Sequence, residues 1–229
     1  MPEVADTNEN QLLASLPSRD RDRLSPQLEK LSFYFGEIIH KCGEEITHVY
    51  FPLTCIVVLV SSVDDKATVE VGLIGKEGMV GTAILMGAKA ATSHAIVQCE
   101  GKGLRLPANV LKKELRRNRA IRDVLLPYAN AALAQSTQLA ACHRYHTPQA
   151  RLARWLLMTH ERTHREELKI TQDFIAQLLG TRRATITEAS RALQNANLIS
   201  SGRGRVRILD VAGLEAEACS CYQIIRSQS

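Results

Sequence analysis

The spacing of hydrophobic positions changes character along the chain. Between Phe33 and Leu106 the apolar residues fall in short, β-branched runs, "VYFPLTCIVVLVSSV" from Val49, "ATVEVGLI" from Ala67 and "HAIVQCEGKGLRL" from His94. Acidic or glycine turns such as "VDDK" and "GKEG" separate them, which predicts a small antiparallel roll or barrel. A polar arm precedes this region, with one short helical stretch, "NQLLASL", that ends before Pro17.

From Pro107 onward the period becomes helical. Ile121, Leu125, Tyr128, Ala132, Gln135, Leu139 and Cys142 recur at alternating steps of four and three, the seam of a helix that meets a second helix. Such a seam packs either on the roll of its own subunit or against a symmetry mate. Ala129, Ala131, Ala134 and Ala140 would allow close approach, which favours a dimer helix. Pro127 interrupts the run, so a kink or a helix start is expected there. Thr147 followed by Pro148 is an N-cap and first-turn pair, so a new helix begins after a break near Arg144 to His146. That helix places Leu152, Trp155, Leu156 and Thr159 on one face.

Two helices and a hairpin follow. Thr171 caps a helix whose apolar face is Phe174, Ile175, Leu178 and Leu179, Gly180 supplies a tight turn, and Thr181 is expected to cap the next helix. Ile186, Ala189 and Leu193 hold that second helix inward, leaving Arg182, Arg183, Ala184, Thr185, Thr187, Glu188 and Arg191 outward. This is a helix-turn-helix pattern. Its basic N-terminal end suits phosphates and the acceptor edge of guanine. "LISSGRGRVRIL" then reads as strand, glycine turn, strand, a wing bearing Arg203, Arg205 and Arg207.

Charge supports that reading. The net charge of the 229-residue chain is only +5, but residues 144 to 209 hold twelve Arg or Lys against five Asp or Glu, a local balance of +7. A basic third joined to a near-neutral remainder is the footprint of a nucleic-acid surface. No apolar run is long enough to span a membrane, and the N-terminal residues lack the pattern of a secretory signal, so a cytoplasmic protein is expected.

Cysteines 42, 55, 99, 142, 219 and 221 show no C-x-x-C spacing, and neither a disulfide framework nor a metal site is assigned. "CSC" at 219 to 221, with Cys142 as a partner, is the one place for metal or oxidant sensing. "HERTH" at 160 to 164 matches the H-E-x-x-H of zinc proteases. Its inner positions are polar and no third ligand is evident, so a solvated helix end is the better reading and no enzyme is expected.

The order of roll, long helix, hinge and winged helix, with "RLARWLLMTHER", "DFIAQLLGTRRATIT", "LQNANLIS" and "GRVRILD", resembles the Crp/Fnr family of bacterial transcription regulators. The chain is similar in particular to a branch with "IGKEGMVG" in the roll and "GLEAEACSCY" near the C-terminus. The resemblance implies an α+β fold: a cyclic-nucleotide-binding-like antiparallel β-roll over 1–118, a dimerisation helix and hinge over 119–146, and a winged helix-turn-helix over 147–229. It implies a homodimer on two-fold symmetric double-stranded DNA, with half-sites roughly 34 Å apart, and leaves RNA polymerase open as a further partner. At base-reading positions the sequence has Arg183, Ala184 and Glu188, and at backbone-contacting positions Thr171, Gln172, Arg182 and Thr185. Arg203 and Arg205 add to this set from the wing.

The effector pocket implied by the resemblance is altered. Where cyclic-AMP-binding members carry Gly-Glu and Arg-Ser or Arg-Thr pairs, this chain has Gly81, Thr82 and Ser93, His94. Nothing replaces the arginine that neutralises the cyclic phosphate, and an unpaired buried phosphate costs several kcal/mol. The expectation is an unknown small-molecule effector other than cyclic AMP, and no cofactor. The alternative is a redox- or metal-responsive or ligand-binding dimer that binds nucleic acid without selectivity.

Overall fold

The computed structural model describes residues 7–63 and 67–228. The turn "VDDK" therefore lies, apart from Val63, outside the described residues. The chain divides into two compact units. The first comprises residues up to Leu59 with Leu73–Leu133, and the second Val60–Gly72 with Ala134–Gln228. Among the described residues no helix is long and apolar enough to cross a membrane.

The first unit holds most of the roll. Strands β1 (Glu29–Phe33), β2 (Ile38–His40), β3 (His48–Pro52), β4 (Ile56–Val63), β5 (Ala67–Ile74), β6 (His94–Cys99) and β7 (Gly101–Pro107) form two sheets, ordered β1-β7-β3 and β2-β6-β4-β5. β7 is antiparallel to both neighbours, with Leu104 opposite Lys30 and Phe51. The sheets bury their facing sides together: Phe33 and Tyr50 from the first pack with Cys55, Val97 and Ile39. The three predicted apolar runs became β3 to β7. β1 and β2 were not predicted, because "EKLSF" and "IIH" are short and largely uncovered, leaving little periodic signal.

Helices close the roll. α1 (Gln11–Ala14) is capped by Asn10, whose side chain accepts from Leu13 N–H and donates to the carbonyls of Pro52 and Gly78. α2 (Ser18–Leu24) follows Pro17 and was unforeseen. Its sequence is nearly all polar, and only Asp20 and Leu24 are buried. α3 (Ala108–Arg117) ends at Asn118, whose extended backbone separates it from α4 (Arg119–Tyr145). Leu12, Leu13, Leu24, Phe51, Leu104, Leu111, Ile121 and Leu125 form one core between these helices and the roll.

α4 narrows one expectation and corrects another. It begins eight residues before Pro127 and continues through it, so no helix starts at the proline. The lost backbone donor, a cost of about 3 kcal/mol, is offset by packing on both sides: Ile121, Leu125 and Ala129 are buried, and the Tyr128 hydroxyl accepts from Met79 N–H and donates to Met79 O. Tyr128 lies so close over Gly78 that a Cβ there would collide with the ring, which accounts for the second glycine of "GKEG".

The correction concerns the seam. Ile121, Leu125, Gln135, Leu139 and Cys142 are buried within their own chain, and Tyr128 and Ala132 are half-buried. They are not free to form the partner-facing stripe. The exposed stripe is displaced around the helix: Leu126, Asn130, Leu133, Thr137 and Ala140 alternate at four and three residues, with Leu126 44% and Leu133 58% exposed. Of the alanines expected to allow close approach, Ala129 is buried and Ala140 lies on this stripe. Two overlapping stripes share the helical period, and sequence spacing alone does not say which one the rest of the chain covers.

In the second unit, α5 (Pro148–Thr163) is buried almost all round between Arg151 and Thr159. Thr147 accepts from Ala150 N–H as its cap, as expected. Arg154 is fully buried and reaches Glu70 of β5, also fully buried, at 3.2 Å. His143 Nε2–H donates to the Glu70 carbonyl at 2.9 Å, and burial lowers its pKa to about 4. Ser136 donates to the Val71 carbonyl. The polar centre of this unit is thus built from the end of α4, from α5 and from the hairpin segment Val60–Gly72.

Candidate nucleic-acid interface

α6 (Gln172–Leu178) starts at Thr171, whose hydroxyl accepts from Phe174 N–H. Gly180 takes a left-handed conformation, φ 58°, which a side chain would strain. The Thr181 N–H closes α6 by donating to the Ala176 carbonyl. α7 (Arg183–Asn195) then begins from Arg182 as its N-cap residue, without a side-chain cap. The expectation that Thr181 caps α7 is therefore corrected by one position, because Thr181 is committed to ending the preceding helix.

α7 divides cleanly. Ile186, Ala189, Ser190 and Leu193 are buried, while Arg182, Arg183, Ala184, Glu188 and Arg191 are exposed and Thr185 and Thr187 half-exposed. Arg183 lies 3.3 Å from Asp173 of α6, and the Thr187 hydroxyl 2.7 Å from Gln172 Oε1. The outward faces of the two helix starts therefore meet, bringing Thr171, Gln172, Arg183 and Thr187 into one patch. The Arg183 pair is solvent-exposed and worth no more than about 1 kcal/mol, so the guanidinium can exchange its partner for a phosphate or a base.

The wing is β9 (Ile199–Gly202) and β10 (Arg205–Ile208), with β8 (Glu167–Lys169) on the far side of β10. A two-residue loop joins them, with Arg203 at φ 50° and Gly204 at φ 72°. Two successive left-handed residues give the turn whose twist matches a hairpin, and Arg203 stands exposed at its tip. Arg205 and Arg207 both reach Glu167, at 2.7 and 3.3 Å, and these pairs hold the Glu167 carboxyl below its usual pKa. Among the described residues Arg203 thus carries the unshared charge of the wing, a distinction the sequence did not show.

Residues 150–217 match the family model described as a Crp-like helix-turn-helix domain. Known structures extend the likeness to most of the chain. TTHA1359, a transcriptional regulator of the CRP/FNR family from Thermus thermophilus, is 24% identical with a TM-score of 0.68, over 83% of this chain and 98% of its own. FixK2 from Bradyrhizobium japonicum is 16% identical with a TM-score of 0.72, over 84% and 98%. The c-di-GMP-responsive global regulator CLP of Xanthomonas campestris is 14% identical with a TM-score of 0.67, over 85% and 100%. The chain has the Crp/Fnr fold and a Crp-like helix-turn-helix. No curated protein sequence matches it.

Within this Crp/Fnr roll, Gly81 opens the short 3-10 turn Thr82–Met86 in a left-handed conformation, and Thr82 is its first residue. His94 is the first residue of β6, next to the half-buried Ser93, and its Nδ1 accepts from Cys42 N–H at 3.4 Å. His40 belongs to the neighbouring strand β2. Its Nε2–H donates to the His48 carbonyl, and burial pulls its pKa below the usual histidine range.

The two other chemical motifs fare differently. In "HERTH", His164 ends α5 in a left-handed conformation, φ 53°, and so leaves the helical face shared with His160. His160 Nδ1 is engaged by the Arg165 carbonyl at 3.1 Å. "CSC" does meet Cys142. The Cys142 and Cys219 sulfurs are 3.5 Å apart, Cys221 Sγ lies 3.4 Å from His146 Nδ1, and all three cysteines are buried. Their shared hydrogen bond raises the Cys142 pKa and lowers that of Cys219, aided at Cys219 by the nearby Arg154 charge. Sequence reasoning missed His146. It sits one helical turn after Cys142, a spacing that would have identified it.

Proposed function

We propose that the chain is a sequence-specific DNA-binding transcription regulator that acts as a homodimer on a two-fold symmetric operator and answers to a signal other than cyclic AMP. The observation that carries this reading is α7: a helix sealed inward by Ile186, Ala189 and Leu193, with Arg182, Arg183 and Arg191 exposed outward, inside a domain matching the Crp-like helix-turn-helix. Its N-terminal end adds the partial positive charge of the helix dipole. α7 enters the major groove, Arg183 reads guanine, and Glu188 accepts from a cytosine amino group. Ala184 contributes only apolar contact. Thr171, Gln172, Arg182, Thr185, Thr187 and Arg191 set register on the backbone, and Arg203 holds a phosphate from the wing, joined by Arg205 once it exchanges Glu167 for phosphate.

The exposed stripe of α4, from Leu126 to Ala140, supports the dimer. Pairing two such stripes takes the Leu126 and Leu133 side chains out of water, and the polar Asn130 between them favours a single register. For the roll, Ser93 and His94 supply no permanent cation, and His94 already accepts a hydrogen bond through Nδ1. An effector bound near Gly81 and Thr82 therefore lacks a charged phosphate at that end.

Selection of bound sequences from random duplexes tests the reading, followed by affinity for the selected site and a scrambled one at matched salt. A specific regulator prefers its site by about 10³-fold or more. Equal affinity for both, collapsing alike with salt, would indicate backbone-only binding and overturn the proposal.

A further inference from the structure

Four side chains unrelated to the DNA-facing surface converge in the second unit. Cys142 and His146 lie on the last turn of α4 and just after it, and Cys219 and Cys221 flank the start of α9 (Cys221–Arg226), which follows α8 (Val211–Glu217). The three sulfurs and the imidazole nitrogen all lie within 4.8 Å of one another, with contacts as short as 3.4 and 3.5 Å. We propose that Cys142, His146, Cys219 and Cys221 form a mononuclear tetrahedral site for a thiolate-preferring divalent cation of the zinc class.

The geometry selects this ligand type. A tetrahedral ion with sulfur at about 2.3 Å and nitrogen at about 2.0–2.1 Å needs ligand atoms roughly 3.4–3.8 Å apart, close to the present spacing. An iron-sulfur cluster, whose irons each take separate thiolates, requires them spread more widely. Three sulfurs and one imidazole also disfavour magnesium or calcium, which take oxygen ligands. The Gln138 amide N–H donates to Cys221 Sγ at 3.0 Å, supplying the outer contact that orients a metal-bound thiolate.

Charge gives a second, independent argument. Arg151 and Arg154 are both buried, yet among the described residues Glu70 is the one buried carboxylate that meets either of them. Arg151 is held by the carbonyls of His143 and Leu179, its Nε is unpaired, and burial pulls its pKa down. Two buried guanidiniums with one carboxylate between them favour anionic ligands beside them, and a thiolate-rich site answers that excess.

The site would clamp the end of α4 to the C-terminal segment across the break at Tyr145 to Thr147. This inference does not depend on the DNA reading, and its test uses no DNA. The full-length chain, reduced and kept free of oxygen, is titrated with cobalt(II). The expected result is thiolate-to-cobalt charge transfer with strong tetrahedral ligand-field bands, saturating at about one ion per chain and bleached by zinc. X-ray absorption of the zinc form should show three sulfur neighbours and one nitrogen. Zinc should also raise the melting temperature, since it binds the folded chain preferentially. His146→Ala should retain the charge transfer and bind about 100-fold more weakly or worse, whereas Cys219→Ser with Cys221→Ser should abolish the tetrahedral spectrum. Absence of these bands in the reduced wild-type chain would overturn the site, whether or not the variants fold. So would an octahedral spectrum, or an unchanged spectrum in the double variant. If the reduced chain takes no ion and air instead closes a Cys142 to Cys219 disulfide, the cluster is a thiol pair and the proposal fails.

Discussion

Glu70 and Arg154 show how much a single buried pair can decide. Both side chains are fully buried and meet at 3.2 Å, so neither charge has water to fall back on. Removing one partner strands the other, and Glu70→Gln or Arg154→Met should each cost about 3–5 kcal/mol in urea denaturation. The apolar double change Glu70→Leu with Arg154→Met should recover much of that loss. Two single changes that each cost under about 1 kcal/mol would show that the pair is solvated. His40 gives a second prediction at this scale. Its folded pKa is depressed by burial, so below the unfolded value near 6.5 the unfolded chain binds more protons. Stability present at neutral pH is therefore lost as pH falls through that value. Melting temperature should drop between about pH 7.5 and 5, and His40→Gln should lessen the drop. An identical slope in the variant would assign the effect elsewhere.

At the scale of elements, caps and turns set where the DNA-facing pieces begin. Thr147 accepts from Ala150 N–H and Pro148 follows it, so α5 has a fixed start just beyond the break after Tyr145. Thr147→Ala should lower stability by about 1 kcal/mol, read by thermal melting. The wing turn separates backbone conformation from charge. Arg203 holds φ 50°, a conformation asparagine accepts readily. Arg203→Asn should therefore leave the melting temperature unchanged while weakening binding to selected and scrambled duplexes alike, and flattening the salt dependence by about one ion. Arg183→Ala should instead cost about 1–3 kcal/mol on the selected site and relax preference at one base pair. Equal losses on both duplexes from both variants would contradict the division of roles between α7 and the wing.

At the scale of the whole molecule, the proposed dimer couples the exposed stripe on α4 to the basic C-terminal third. Leu126 and Leu133 are the large aliphatic side chains left outward on that helix. Replacing both by glutamate should yield a monomer in sedimentation equilibrium, with the fold intact by circular dichroism, because like charges would face each other across the seam. The monomer should keep weak binding to a half-site and lose its advantage on a palindrome. A dimer that persists would place the interface on another surface.

Much of this was readable from local pattern. Alternating β-branched runs, the Thr147 and Thr171 caps, the left-handed glycine before α7 and the basic outer face of that helix depend on neighbours a few residues away. Backbone sterics and local hydrogen bonds decide such features wherever the segment lies. The helix-turn-helix, the wing and the mixed helix and antiparallel-sheet architecture were legible for that reason. Features that depend on distant partners were not. Which stripe of α4 is covered depended on Leu12, Leu24 and Leu111 arriving from elsewhere in the chain. Arg205 gave up its free charge to Glu167, 38 residues away, and Arg154 found Glu70 across 84. His146 joined the cysteines only because the C-terminal segment returns to the end of α4. Long-range contacts of this kind leave no periodic trace in a sequence, since burial and charge pairing are set by the three-dimensional neighbour rather than by the next residue.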